Sequence, residues 1–298
     1  MMTRTPLIVA GAVLASAGLV LAACSAVTTQ TDAHSSMPSM QATDDPTSSP
    51  TQASTSTADA LLLAGWGDNV SVSLGDGTVR IVSDGLPDHE RQAEYAVPTG
   101  NAIVPDASTA KAVPDPTRAQ SYDFTITTNP QRAAEPTSTS LGTIGIMISG
   151  AALFNPYEGD GKTVATASNF TVLDSAGKAV AFLDSCNGHP NPMGAYHYHA
   201  LPPCVTATVD EEGGPSHIIG VAFDGFLIYG DRALDGTPLT AADLDECSGI
   251  FSPTPEFPDG VYHYVLLDTA DSTSSIRCFS GTVNSSLVKA ASMGGMHP

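Results

Sequence analysis

Three of the eight histidines in this chain lie between Cys186 and Cys204, in the segment CNGHPNPMGAYHYHALPPC. Its centre is Tyr196-His197-Tyr198-His199. A β-strand sends successive side chains to opposite faces, so His197 and His199 should share one face and Tyr196 and Tyr198 the other. Two imidazoles so placed can grip one metal ion, and His189 is close enough in sequence to be a third ligand. Three histidines with an open position suit catalytic zinc or copper. His217 and Asp224 could join from a second hairpin, and His89 from an N-terminal loop. The competing expectation is that these rings and hydroxyls only satisfy buried backbone groups.

The elements that must position these residues are best read from the cysteines and from an internal repeat. Of five cysteines, Cys24 stands apart, and Cys186, Cys204, Cys247 and Cys278 form an even set. Outside the cytoplasm such a set reads as two disulfides. That leaves no thiolate for a blue-copper centre.

Two stretches, Gly145–Phe154 and Gly220–Tyr229, each contain two apolar runs joined by a glycine turn, at Ser149-Gly150 and Asp224-Gly225. Both read as tight hairpins. Leu183-Asp-Ser-Cys-Asn-Gly188 matches Leu244-Asp-Glu-Cys-Ser-Gly249, and Gly194-Ala-Tyr-His-Tyr-His199 matches Gly260-Val-Tyr-His-Tyr-Val265. The order is kept while loop lengths vary. We read this as an internal duplication, with modules at about 142–204 and 217–279. Each module holds one cysteine before its Tyr-His-Tyr segment and one after. The favoured pairs are therefore Cys186 with Cys204 and Cys247 with Cys278; a bridge between Cys186 and Cys247 is the rival. His189 and His199 have no histidine counterpart in the second module.

The rest of the chain reads as mainly β, an irregular sandwich-like or mixed sheet with few short helices. Val70–Leu74 and Thr78–Val82 alternate around Gly75-Asp76-Gly77, a hairpin signal. Tyr122–Thr127 alternates as a strand. Residues 90–120 read as mostly loop, punctuated by prolines. Leu239–Leu244 allows one short helical turn capped by Thr240.

Residues 1–23 read as a signal segment. Arg4 precedes the apolar run Leu7–Leu21, which is short for a membrane span. Leu21-Ala22-Ala23-Cys24 resembles a lipobox, with Cys24 as the lipidated residue. The expected product is anchored to the cell membrane through Cys24, outside the cytoplasm. Residues 24–60, rich in Ser, Thr and Pro, read as a flexible tether; 61–285 form the globular domain, and 286–298 a tail with Met293, Met296 and His297. The whole sequence has 11 basic and 31 acidic residues and a net charge of −20. Such a surface repels nucleic acid and attracts cations.

The segments CNGHPNPMGAYHYH and GVAFDGFLIYG and the LDEC turn resemble the YHYH domain family of extracellular proteins. The loop GLPDH ending at His89 is similar too, so the resemblance spans roughly 65–283. Family members often have proline where this chain has Leu227. The resemblance implies a domain built around the YHYH segment and carries no reaction with it.

Three functions remain open at this level. The first is a surface protein that binds zinc or copper through the histidines. The second is a binding or structural module in which the cluster is purely structural, with the tyrosines and Trp66 free to stack on a partner. The third is a metal-dependent hydrolase, with Asp224 or Asp184 orienting an imidazole. No GxSxG or HExxH motif supports the third.

Overall fold

The computed structural model describes residues 55–91, 94–98, 110–114, 117–165, 171–173, 179–181, 183–191 and 193–288. The signal segment 1–23, Cys24, the tether up to residue 54 and the tail from 289, with Met293, Met296 and His297, lie outside these residues.

Folding begins earlier than the composition suggests. Helix α1 spans Thr57–Leu62, and the Ser56 side chain accepts a hydrogen bond from the Asp59 N–H. This is an N-cap inside the segment expected to be tether. Leu61 anchors the helix in the core.

Strands β1 (Val70–Leu74) and β2 (Thr78–Ser83) form the expected hairpin, with Gly77 at φ +62° in its turn. Strands β3 (Glu94–Pro98) and β4 (Ala110–Pro114) form a second hairpin in the stretch read as loop. Pro98 and Pro114 sit at strand ends, where a missing N–H is tolerated. Strand β5 (Tyr122–Thr127) pairs with β2, and Val79, Ile81, Phe124 and Ile126 point into the core.

The site rests on the strands that follow. These are β6 (Arg132–Ser138), β7 (Thr143–Met147), β8 (Ala152–Phe154), β9 (Thr171–Leu173), β10 (Ala179–Ala181), β11 (Gly188–Pro190) and β12 (Tyr196–Tyr198). After helix α2 (Pro203–Val209) come β13 (Ile218–Ala222), β14 (Leu227–Tyr229), β15 (Gly249–Ser252), β16 (Val261–Val265) and β17 (Cys278–Gly281). Eight of them make one mixed sheet in the order β11-β12-β8-β7-β13-β14-β16-β15. Residues 239–244 form a turn rather than a helix, with the Thr240 N–H and hydroxyl donating to Asp243.

The order of this sheet reads alike from both edges. At the centre, β7 and β13 pair antiparallel, Gly145 opposite Ala222 and Gly220 opposite Met147. A Cβ on Gly145 would stand 2.7 Å from the Val221 carbonyl oxygen, and one on Gly220 the same distance from that of Ile146. Both glycines let the central strands approach. On either side a parallel pair follows: β8 with β12, Leu153 opposite Tyr198, and β14 with β16, Ile228 opposite Tyr264. The edges are antiparallel, Gly188 opposite Tyr198 and Gly249 opposite Tyr264.

Disulfides join Cys186 to Cys204 and Cys247 to Cys278, the pairs favoured from the sequence. Among the described residues no helix is long and apolar enough to cross a membrane.

Candidate metal centre

The turns before β11 and β15 are built alike. Asp184 accepts the N–H groups of Cys186 and Gly188 through Oδ1 and the Tyr196 hydroxyl through Oδ2, the latter at 2.6 Å. Asp245 accepts those of Cys247 and Gly249, and the Tyr262 hydroxyl at 2.8 Å. Asn187 and Ser248 take positive φ at matching places. The leading Tyr of each Tyr-His-Tyr segment is therefore a brace between strand and turn.

Strand β12 sorts its side chains as alternation requires. On one face Tyr198 meets the Ser149 hydroxyl at 2.9 Å and His89 Nε2 at 2.7 Å. On the other, His197 and His199 lie with ring centroids 4.7 Å apart. The edge register sets His189 opposite His197, at 4.4 Å between rings. Candidate ligand atoms of the three lie within 4.8 Å of one another. All three are buried, at 4, 2 and 1 % exposure for His189, His197 and His199. Phe154 stacks on His197 at 3.8 Å.

The hydrogen bonds decide how these rings are used. Nδ1 of His189 faces the Pro190 carbonyl at 3.2 Å, that of His197 the Ala195 carbonyl at 3.0 Å, and that of His199 the Asn155 carbonyl at 2.7 Å. A carbonyl oxygen only accepts, so each Nδ1 carries the proton and a neutral ring keeps its lone pair on Nε2. The Nε2 atoms of His189 and His199 lie within hydrogen-bond reach, 3.2 Å apart. Burial, with the charges of His189 and His199, pushes His197 well below its ordinary value. Burial brings His199 down to about 4 against the pull of Glu158. Neutral imidazoles with Nδ1 tied to a carbonyl are the form that ligates metals.

Sequence reasoning missed Glu158. It sits in the turn after β8, where its N–H donates to the Thr163 carbonyl and its carbonyl accepts from Gly161. Its side chain is buried, with Oε1 3.3 Å from His189 Nε2 and 3.8 Å from His199 Nε2. Oε1 makes no hydrogen bond. Burial opposes ionisation of this carboxyl, but positive charge drawn to His189 and His199 outweighs it and holds the group below its usual range. A signal did exist. The ungapped match of the two hairpins runs on through Asp160-Gly161 and Asp235-Gly236, which places Glu158 against Ala233. The Ala233 N–H and carbonyl make the matching bonds, to Thr237 and from Gly236.

The other three candidates are engaged elsewhere. His217 Nδ1 pairs with Glu256 Oε1 at 2.7 Å, beside Tyr229. Asp224 accepts the Tyr264 hydroxyl at 2.6 Å and the Gly281 N–H at 2.9 Å, so it ties β16 to β17. His89 meets Tyr198, on the face of β12 away from the cluster. His89 also lies near Cys186 and Cys204, but their disulfide leaves no thiolate to bind a metal. Trp66 donates to the Leu61 carbonyl and lines a cleft of about 160 Å³ with Asp68 and Asp88.

A family model described as YHYH protein matches residues 123–238 and 233–281. The match begins after the N-terminal hairpins that the resemblance included. No curated protein and no solved structure matches the chain.

Proposed function

For a chain that belongs to the YHYH protein family, we propose that the function is to hold a divalent transition-metal ion, zinc or copper, at His189, His197 and His199. The supporting observation is the convergence of three buried imidazoles, each with Nδ1 on a backbone carbonyl and with ligand atoms within 4.8 Å of one another. All three rings are buried. The Nε2 atoms of His189 and His199 lie 3.2 Å apart beside the Glu158 carboxylate, a grouping that a bound cation would hold together. The Tyr-Asp braces, present in both halves, belong to the framework instead. We read the two halves as copies of one module, of which the first kept the ion.

Metal analysis of the purified full chain should find about one equivalent of zinc or copper. The His197→Ala/His199→Ala double variant should contain none. Equal metal content in the two proteins would end this reading.

The protein is also proposed to sit outside the cytoplasm on a lipid attached to Cys24. The LAAC segment and the two disulfides support this. In fractionated cells the native chain should follow the membranes, and Cys24→Ala should shift it to the soluble extracytoplasmic fraction. An unchanged distribution would argue against the anchor.

A further inference from the structure

We infer that Glu158 is the fourth ligand, which makes the centre a closed three-histidine, one-carboxylate site for zinc; this rests on the three-histidine reading above. Glu158 Oε1 is a buried carboxylate oxygen without a hydrogen-bond donor, aimed at His189 and His199. A buried carboxylate is costly unless positive charge lies against it, and a cation held between Glu158 and the two histidines would supply that charge. The spacing fits one. Ligands at zinc bond lengths around a tetrahedron are about 3.3 Å apart. Among His189, His199 and Glu158 the separations are 3.2 Å between the two histidine nitrogens and 3.3 and 3.8 Å from these to Oε1, and the ligand atom of His197 lies within 4.8 Å of those of the other two histidines.

The donor set selects the ion. Three imidazoles and one carboxylate in a tetrahedral arrangement suit zinc. Copper(I) prefers thiolate or thioether, copper(II) a tetragonal field, and magnesium or calcium an all-oxygen shell. Four protein ligands also leave no position for a reactive water, and closed sites of this kind are structural. The ion would act as a clip. Its ligands come from the turn after β8, from β11, from β12 and from the residue that follows β12, and each of these strands is only three residues long. The hydrolase expectation loses its open position.

The second half supports the same assignment. Glu158, His189 and His199 correspond there to Ala233, Ile250 and Val265 by backbone bonding and register. Where the carboxylate is absent, two of the three histidines are absent too, and apolar side chains take their places.

The test uses the full chain and zinc. Competition with a chromogenic chelator should show Glu158→Gln binding zinc on the order of 100-fold more weakly than the native chain. Glu158→His should retain most of the affinity. A second measurement needs no variant. In cobalt-substituted native protein, azide should leave the visible spectrum unchanged. Native affinity in Glu158→Gln, or an azide-induced spectral shift, would overturn the closed site while leaving the three-histidine reading intact. A native chain that binds no zinc and no cobalt would overturn both.

Discussion

The two halves of the eight-stranded sheet share a framework and differ in chemistry. Both have a parallel pair beside the central strands, an Asp-Tyr brace and a disulfide. Both keep the middle histidine of the Tyr-His-Tyr segment. His197 and His263 each place Nδ1 3.0 Å from the carbonyl two residues earlier. Each lies against an aromatic ring, Phe154 in one half and Tyr229 in the other. Only the first half adds His189, His199 and Glu158. The comparison separates residues that hold the fold from residues that make a site. A histidine kept in both places is a framework residue first, and its use as a ligand depends on its neighbours.

The comparison can be broken most severely by moving the site. Ile250→His, Val265→His and Ala233→Glu, made together, complete a matching set around His263. The expected outcome is a second equivalent of zinc, read by metal analysis. The reverse set, His189→Ile, His199→Val and Glu158→Ala, should abolish binding yet still give a folded protein, because the second half packs such residues in those places. Failure to gain metal in the first variant would show that the halves are less alike than their hydrogen bonds indicate.

A smaller effect concerns acid. Burial lowers His263 from its ordinary 6.5 to about 4, against the Val261 carbonyl and the charge of Glu256. The unfolded chain therefore takes up the proton first. The stability linked to His263 is complete above about pH 6.5 and is lost as pH falls towards 4. Its size is on the order of 3 kcal/mol. Urea midpoints at pH 7 and pH 4 should differ less in His263→Phe than in the native chain. Equal differences in the two proteins would remove His263 as a source of acid sensitivity.

Much of the framework was legible because it is local. Alternation around Gly77, and paired apolar runs around Gly150 and Gly225, marked the hairpins, and the positive φ of each glycine in its turn is the physical reason. Cysteines placed before and after each Tyr-His-Tyr segment marked the disulfide pairs. Other elements were hidden. Helix α1 begins in a polar stretch where Ser56 and Leu61 carry the whole signal. The β3–β4 hairpin lies among prolines that mark strand ends rather than a loop. His217, Asp224 and His89 were plausible ligands by type, yet each is taken up by a nearer partner.

The sequence by itself determined which side chains share a face. Alternation along β12 requires His197 and His199 to point together, whatever that strand packs against. It also placed His189 close enough in sequence to join them. Only the tertiary structure decided what the histidines meet. The parallel pairing of β12 with β8 sets Phe154 against His197, and the turn that follows carries the Glu158 carboxylate to His189 and His199. Parallel pairing joins segments distant in sequence, and no local period records it. The fourth member of the cluster therefore became visible only once the strands were in register.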